Sequence, residues 1–549
     1  MLFSKSRVKW NKLANQTDWK LLLFLILFLD VKLGIKIPAI LLLYVVQFDF
    51  SFGFRLKNSR LPLFYPLIIV IAFVGLFFTK SYQSHNYIPL FLNGIGFWLL
   101  CLLAVHQVKL FVERNSAEVI HNTVLIFFLL NALVSFYTIG HIMLITGAVD
   151  PYRYQGEYQK YFIGTGDYIK GLTFDVCTTN AVLNASGVVY FLERKNSAMV
   201  IVCMAVLLLT GSNFMNLALA IVLIFLFIFR TTPDQKSLIT ICMMLLIVFM
   251  AKVSPQNNQY TFETFKNIIH PQKPVGLSPV KVEMPILITP DSLKSRYAHH
   301  YLDSIRMTGE KHAVAQVQKK PANPILVTAQ GRIRLPTADI NTPPYQTPTD
   351  TTAEQRKLLA FVGTHKSKLS ISGQNDYRTN LPGKALAFAQ TFNLLKHSPA
   401  RLLVGDGMGN FSSKLAFKAT ALGFSGKYPG KYAYISNDFL TNHLDIYLNY
   451  FSKKAELHTI ANSPFSVYDQ LPAEYGLLGL AAFIIFYLGF FAKYYDMLTY
   501  GIPLSLIMLA AFLIDYWFEQ LSVIVFFELL LLLNIKEAYT LKPLQHAVK

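Results

Sequence analysis

The chain has 549 residues, of which 53% are hydrophobic and only 15% charged, with 44 Phe and 29 Tyr. Soluble domains carry about 25% charged residues. Yet Lys and Arg number 50 against 31 Asp and Glu, a formal net charge of +19; the composition excludes a disordered chain, a secreted disulfide mini-protein and an ordinary soluble enzyme, and points to a membrane protein with one large polar insert.

A hydrocarbon core needs about 20 apolar residues per crossing helix. In chain order, apolar stretches fall near 19–30, 33–50, 62–79, 88–108, 119–145, 171–192, 198–211, 213–230 and 237–252. After a polar gap, three more fall near 468–492, 497–514 and 517–534. The expected fold is an all-α polytopic membrane protein of about twelve transmembrane helices, with one large, mostly helical outward domain between spans nine and ten. Its parts are a membrane bundle over 1–252, the outward domain over 253–467, and a second membrane part with a tail over 468–549.

Lys and Arg set the orientation. Lys5, Arg7, Lys9 and Lys12 precede the first stretch; Arg55, Lys57 and Arg60, then Lys109 and Arg114, Arg194 and Lys195, and Arg230 and Lys236 fall in alternate connections. Both termini are therefore expected in the cytoplasm and the insert outside. No small-residue cleavage site follows the first apolar run, so it does not read as a signal peptide. Cys101, Cys177, Cys203 and Cys242 lie in or beside apolar stretches, which leaves the insert without a disulfide framework or a Cys-x-x-Cys metal spacing. They read as small buried hydrophobes.

The insert holds most of the surplus charge. From Lys252 to Phe465 there are 26 Lys and Arg against 13 Asp and Glu. Long translocated domains escape the positive-inside rule. A basic outward surface suits an anionic partner: phosphate headgroups, a diphosphate-linked lipid or an acidic glycan. Residues 253–381 hold 12 of the 25 prolines and read as loops and short extended pieces, with a short amphipathic helix around 293–307. Residues 382–451 read as better folded: Pro382 opens a helix that Ser398 and Pro399 end. Then comes Gly405-Asp406-Gly407-Met408-Gly409-Asn410-Phe411. It is no nucleotide loop, because no G-x-x-x-x-G-K-[ST] or βαβ context exists. It reads either as a turn closing on a phosphate or as a structural turn.

Inside the spans, His106, His121, Asp515, Glu519 and Glu528 are the costly ionisable groups. His106, His121 and Asp515 sit near predicted ends, where snorkelling accounts for them. Glu528 is the deepest and is expected to face the bundle. His299-His300 has no ligand spacing and reads as a surface pair.

Several motifs follow in order: Arg378, the helix from Pro382 to Lys396, Pro399, the 405–411 turn, Asn442-His443-Leu444, His458-Thr459-Ile460-Ala461-Asn462, and Gln470-Leu471-x-x-Glu474-Tyr475-Gly476-Leu477-Leu478-Gly479. Their order resembles the O-antigen ligase and O-antigen polymerase superfamily of polytopic glycan-transfer enzymes. Gly171-Leu172-Thr173-Phe174 with Asn180-Ala181, and Leu209-Thr210-Gly211-Ser212, resemble two upstream pieces of the same pattern. The resemblance covers roughly residues 170–490. Asn213 stands where the family commonly has Arg, and Phe465-Ser466 where it has His-Asn.

The resemblance implies transfer of a glycan from an undecaprenyl-diphosphate carrier to an acceptor hydroxyl on the periplasmic face of a bacterial inner membrane, without metal, nucleotide or other cofactor. The acceptor is a lipid A-core for a ligase, the favoured reading; a growing lipid-linked glycan for a polymerase; or a protein for an O-oligosaccharyltransferase. The partners are then the lipid-linked donor, the acceptor and membrane lipids, with no nucleic acid. Arg378, Arg401 and Arg153 are the expected diphosphate ligands, since guanidinium suits bidentate phosphate contacts. His458 is the preferred base and His443 the second choice, because imidazole titrates near neutral pH. Asn410, Glu474 and Asn180 are expected in supporting roles, the first two capping or orienting backbone. A transporter or flippase would show repeated halves and paired midplane charges, and neither is present in the sequence. A receptor with a basic ectodomain is the third alternative; it would need no shared cleft of His458 and loop arginines.

Overall fold

The computed structural model describes residues 16–29, 33–153, 166–174, 176–254, 326–327, 333–334, 382–422, 428–444, 446, 460–461 and 463–547, with backbone alone for Arg153, the four residues of 326–327 and 333–334, and 541–547. The described chain is almost entirely helical. Leu326–Val327 (β1) and Ile333–Arg334 (β2) form one short antiparallel pair. The helix expected at 293–307 lies outside the described residues.

Each of the twelve apolar stretches contains a helix. In chain order these are α1 Trp19–Leu29, α2 Leu33–Val46, α3 Phe64–Phe78, α4 Tyr87–Arg114, α5 Ala117–Thr146, α6 Cys177–Glu193, α7 Ser197–Leu209, α8 Asn213–Phe229 and α9 Pro233–Val248. The insert contributes α10 Gly383–Lys396, α11 Pro399–Val404, α12 Lys414–Ala419 and α13 Asn437–Asn442. Then follow α14 Val467–Ala482, α15 Gly501–Phe512, α16 Trp517–Gln520 and α17 Ser522–Ala547. Among the described residues, four helical runs are long and apolar enough to cross a membrane: Tyr87–Arg114, Ala117–Thr146, Pro233–Val253 and Val467–Met497. The run from α14 to Met497 includes a π-helical turn at Phe483–Leu488.

The sixth stretch becomes helical later than expected. Gly171–Thr173 is instead a 3-10 turn, and Phe174 adopts a left-handed conformation at φ 48°. The cause is a buried amide network. Asn131 on α5 accepts the Leu172 N–H at 2.9 Å and donates to Asn180 on α6 at 2.8 Å. Asn180 in turn donates to the Ile169 carbonyl at 2.8 Å. These amides thus satisfy backbone that would otherwise lie unpaired among apolar helices.

Helices α1 and α2 pack as a pair and, like α7 and α15, are short. With 11 and 14 residues, they extend about 16 and 21 Å at ~1.5 Å per residue, short of a ~30 Å hydrocarbon core. The outer ends of both lie at the same end of the bundle. The Asp18 N–H donates to Thr123 Oγ1 at 3.0 Å, and Asp18 accepts from Asn115 Nδ2 at 2.7 Å. Tyr44, near the end of α2, meets His106 Nδ1 at 2.9 Å. The inner end meets the break between α16 and α17, where Leu521 has φ 71°. There the fully buried Lys36 donates to the Gln520 carbonyl and to Ser522 Oγ. Ser522 also lies 3.4 Å from the Phe28 carbonyl. A break leaves helical carbonyls without partners, and the ammonium occupies one of them.

The core is rich in aromatic edges: Phe64 meets Trp98, Phe483 and Tyr487 at 5.5–5.8 Å between ring centroids. Glu528 faces this core and accepts from Tyr65 Oη, in keeping with its depth in the span. His106 does not snorkel: it is fully buried against Tyr44 and Phe52. Asp515 instead pairs with Lys414 at 3.4 Å. All four cysteines are free and buried.

Candidate functional site

The glycine turn of the insert and the start of α14 are built against each other. Gly476 has φ 63° and ψ −161°, which breaks α14 one turn after Pro472. The break frees the Ala473 and Glu474 carbonyls. Asp406 N–H donates to the first at 2.9 Å and Gly407 N–H to the second at 3.1 Å. The two backbones come so close that a Cβ on Gly476 would overlap the Leu403 carbonyl and Gly405 nitrogen. A Cβ on Gly405 would overlap the Glu474 carbonyl group. Both residues also need positive φ, which glycine adopts without penalty. The two motifs, more than sixty positions apart, thus act as one unit.

Side chains complete the lock. Glu474 is buried and accepts the Phe411 N–H at 3.3 Å. Asn410 donates to the Asp406 carbonyl at 2.6 Å and to Ser81 Oγ at 3.1 Å. Tyr87 Oη donates to the Met408 carbonyl at 2.7 Å. Asn410 and Glu474 therefore orient backbone. The N–H groups of Gly405, Asp406, Gly407, Asn410 and Phe411 are all engaged within the protein, which favours the structural reading of this turn over a phosphate cradle.

Arg401 is partly exposed and makes a two-pronged ion pair with Asp438, at 3.1 and 2.7 Å, with Asp406 3.5 Å from its Nε. Its charge is already answered by the Asp438 carboxylate. Burial, reinforced by the nearby Asp438 and opposed by Arg401, pushes the Asp406 carboxyl up to about 8. Neither Asp406 nor Asp438 stands out in the sequence; only their places, within the turn and two residues after the Ser436 helix cap, set them apart.

His443 is fully buried, stacked on Phe411 at 4.5 Å, with Nδ1 2.9 Å from Gln390 Oε1. Burial lowers its imidazole to about 3. A neutral, enclosed ring does not fit an acceptor-activating base, so the structure argues against that role. His458 and Arg378 lie outside the described residues. Arg153 is described by backbone alone, in the turn Pro151–Arg153. Its neighbour Tyr152 donates to the Leu209 carbonyl at 2.5 Å and so holds this turn at the end of α7. Asn180 belongs to the amide network above; its partner Asn131 escapes sequence reading because one amide in a long apolar helix breaks no period. Phe465 packs against Tyr516 and Phe417 at 5.0 and 5.5 Å. Lys384 donates to its carbonyl at 2.5 Å, and burial lowers that amine to about 8. Among the described residues, no group of three His, Cys, Asp or Glu is placed to hold a metal ion.

The two perturbed groups give opposite pH dependences. His443 is depressed from 6.5 to about 3, so its contribution is full above pH 6.5 and lost as pH falls towards 3. Asp406 is raised from 3.8 to about 8, so its contribution is full below pH 3.8 and lost as pH rises through 8. Relative to wild type, His443→Gln should gain stability on acidification below pH 6.5, and Asp406→Asn should gain it between pH 4 and 8. Each slope should approach ~1.4 kcal/mol per pH unit. Melting curves in detergent over pH 4–8 check this; parallel curves would refute it.

No family model, curated protein or solved structure matches this chain.

Proposed function

We propose that the chain is a multi-pass membrane enzyme that transfers an undecaprenyl-diphosphate-linked polysaccharide to a lipid A-core acceptor on the outward face of a bacterial inner membrane. The observation that carries this reading is the mutual closure of the 405–411 turn and the Ala473–Gly476 break. These are two of the ordered motif segments on which the resemblance rests, and their pairing supports treating them as one pattern. The start of α10, the Arg401 cluster, Ala461 and residues 463–466 gather at the same end of α14. In this reading both termini are cytoplasmic, residues 253–467 are periplasmic, and His458 serves as base, with Arg378 and Arg153 receiving the diphosphate.

The direct test is incubation in nanodiscs with lipid-diphosphate glycan and three acceptors: lipid A-core, a second lipid-linked glycan and an acceptor protein. Product on lipid A-core is expected. Product on the lipid-linked glycan alone would make the chain a polymerase, and product on none would reject glycan transfer.

The same reading modifies the span count. With Lys36 buried at the break between α16 and α17, the α1–α2 pair enters and leaves from the cytoplasmic side, leaving about ten crossings. Removing two crossings preserves every orientation. A Gly34→Cys variant in sealed, right-side-out vesicles should therefore resist a membrane-impermeant maleimide. Labelling from outside would restore two full spans.

A further inference from the structure

Helix α11 is short, and two of its six residues face outward without cover: Leu402 is 38% and Leu403 51% exposed. Isolated exposed leucines need no explanation; the surroundings of these two do. The end of α11 is wedged between two apolar helices. On one side, a Cβ on Gly75 of α3 would lie 3.7 Å from the Val404 carbonyl oxygen and 3.6 Å from Gly407 Cα. On the other, the Leu403 carbonyl closes on Gly476 of α14. Both helices carry exposed apolar residues beside these contacts: Phe73, Val74, Phe77 and Phe78 on α3, and Leu477 and Leu478 on α14. The α11 leucines therefore extend a surface that two apolar helices already present. Cations flank them in the sequence: Lys396 is exposed at the end of α10, and Arg401, paired with Asp438, immediately precedes Leu402. Apolar residues flanked by Lys and Arg are the pattern of an element lying in a membrane interface.

We propose that α11 is a membrane-interface anchor, with Leu402 and Leu403 in the acyl region of the leaflet, and Lys396 and the Arg401–Asp438 ion pair at the level of the lipid headgroups. The occupant of this face is the bilayer itself, continuous with the lipid contacted by α3 and α14. The inference rests on the chain spanning a membrane, but not on the reaction assigned to it. Part of the insert is then held at the headgroups rather than standing free above them.

The test attaches an environment-sensitive NBD fluorophore to Leu403→Cys in nanodiscs of phosphatidylcholine and phosphatidylglycerol. The four native cysteines are buried, so wild type serves as the labelling blank. Val74→Cys supplies a lipid-facing reference and Lys431→Cys an aqueous one. With brominated acyl chains, the Leu403 label should lose emission as the Val74 label does, and aqueous iodide should leave it unchanged. A Leu403 label that follows Lys431, or that escapes both quenchers, overturns the anchor. If the Val74 label also escapes the brominated lipid, it is the membrane reading that fails.

Discussion

His458→Ala is expected to reduce glycan transfer by about 10²–10⁴-fold, the usual contribution of a positioned general base, while leaving the melting temperature unchanged. His443→Gln is expected to keep transfer within roughly tenfold of wild type, since a fully buried ring touches no acceptor. Sequence alone ranks these histidines closely, because both follow the glycine turn in motif-like stretches. The structure bears on His443 directly. It is walled in by Phe411, Phe417 and Phe439, and its depressed titration leaves it neutral and weakly basic. Single-turnover transfer from labelled lipid-linked glycan reads both variants. Loss in His443→Gln alone, at unchanged melting temperature, would move the base to His443; full transfer by His458→Ala would remove His458 from the reaction.

Gly476→Val is expected to give the largest loss of stability of any single change at the junction of insert and membrane bundle. Two costs combine. A β-branched residue at φ 63° is strained by about 1–3 kcal/mol. Its Cβ would also collide with backbone atoms of Leu403 and Gly405, which are not side-chain ends that can swing away. Relieving that collision means pulling apart the pairing of Asp406 and Gly407 with the α14 carbonyls. A total above ~4 kcal/mol would be exceptional for a point change and diagnostic of this lock. Gly96→Ala provides the control: it lies inside α4, where an added Cβ would have no atom within 4 Å, and should be neutral or stabilising by up to ~1 kcal/mol. Thermal melting in detergent, with yield of folded protein, compares the two. Similar melting for Gly476→Val and wild type would show that the two segments are not coupled.

The helices are legible in the sequence because long apolar runs between charged connections leave few alternatives to helix. The end of α10 is legible too, at Ser398 and Pro399; the short helix α11 that Pro399 then opens is not, since six residues leave no periodic signature. Reach and pairing are not. The α1 and α2 runs read as two spans, because hydropathy registers apolar length but not where the turn between two helices comes to rest. Lys36, on the Gln520 carbonyl and Ser522 Oγ, places the start of α2 at the break between α16 and α17. Arg401 reads as an available cation because its partner Asp438 is 37 residues away. Gly405 and Gly476 each stand out within a motif, yet their mutual contact has no periodic or local signature.

Lys36 also imposes an order on how the molecule is completed. Its partners, the Gln520 carbonyl and Ser522 Oγ, lie 484 and 486 residues further along the chain. During synthesis from the N-terminus, the α1–α2 pair is made long before its docking site. Until then a lysine bound for burial must stay hydrated, as it can at a membrane interface. Its seating is thus a late step of assembly, available only once the break between α16 and α17 has been made, and it ties together two segments 484 residues apart.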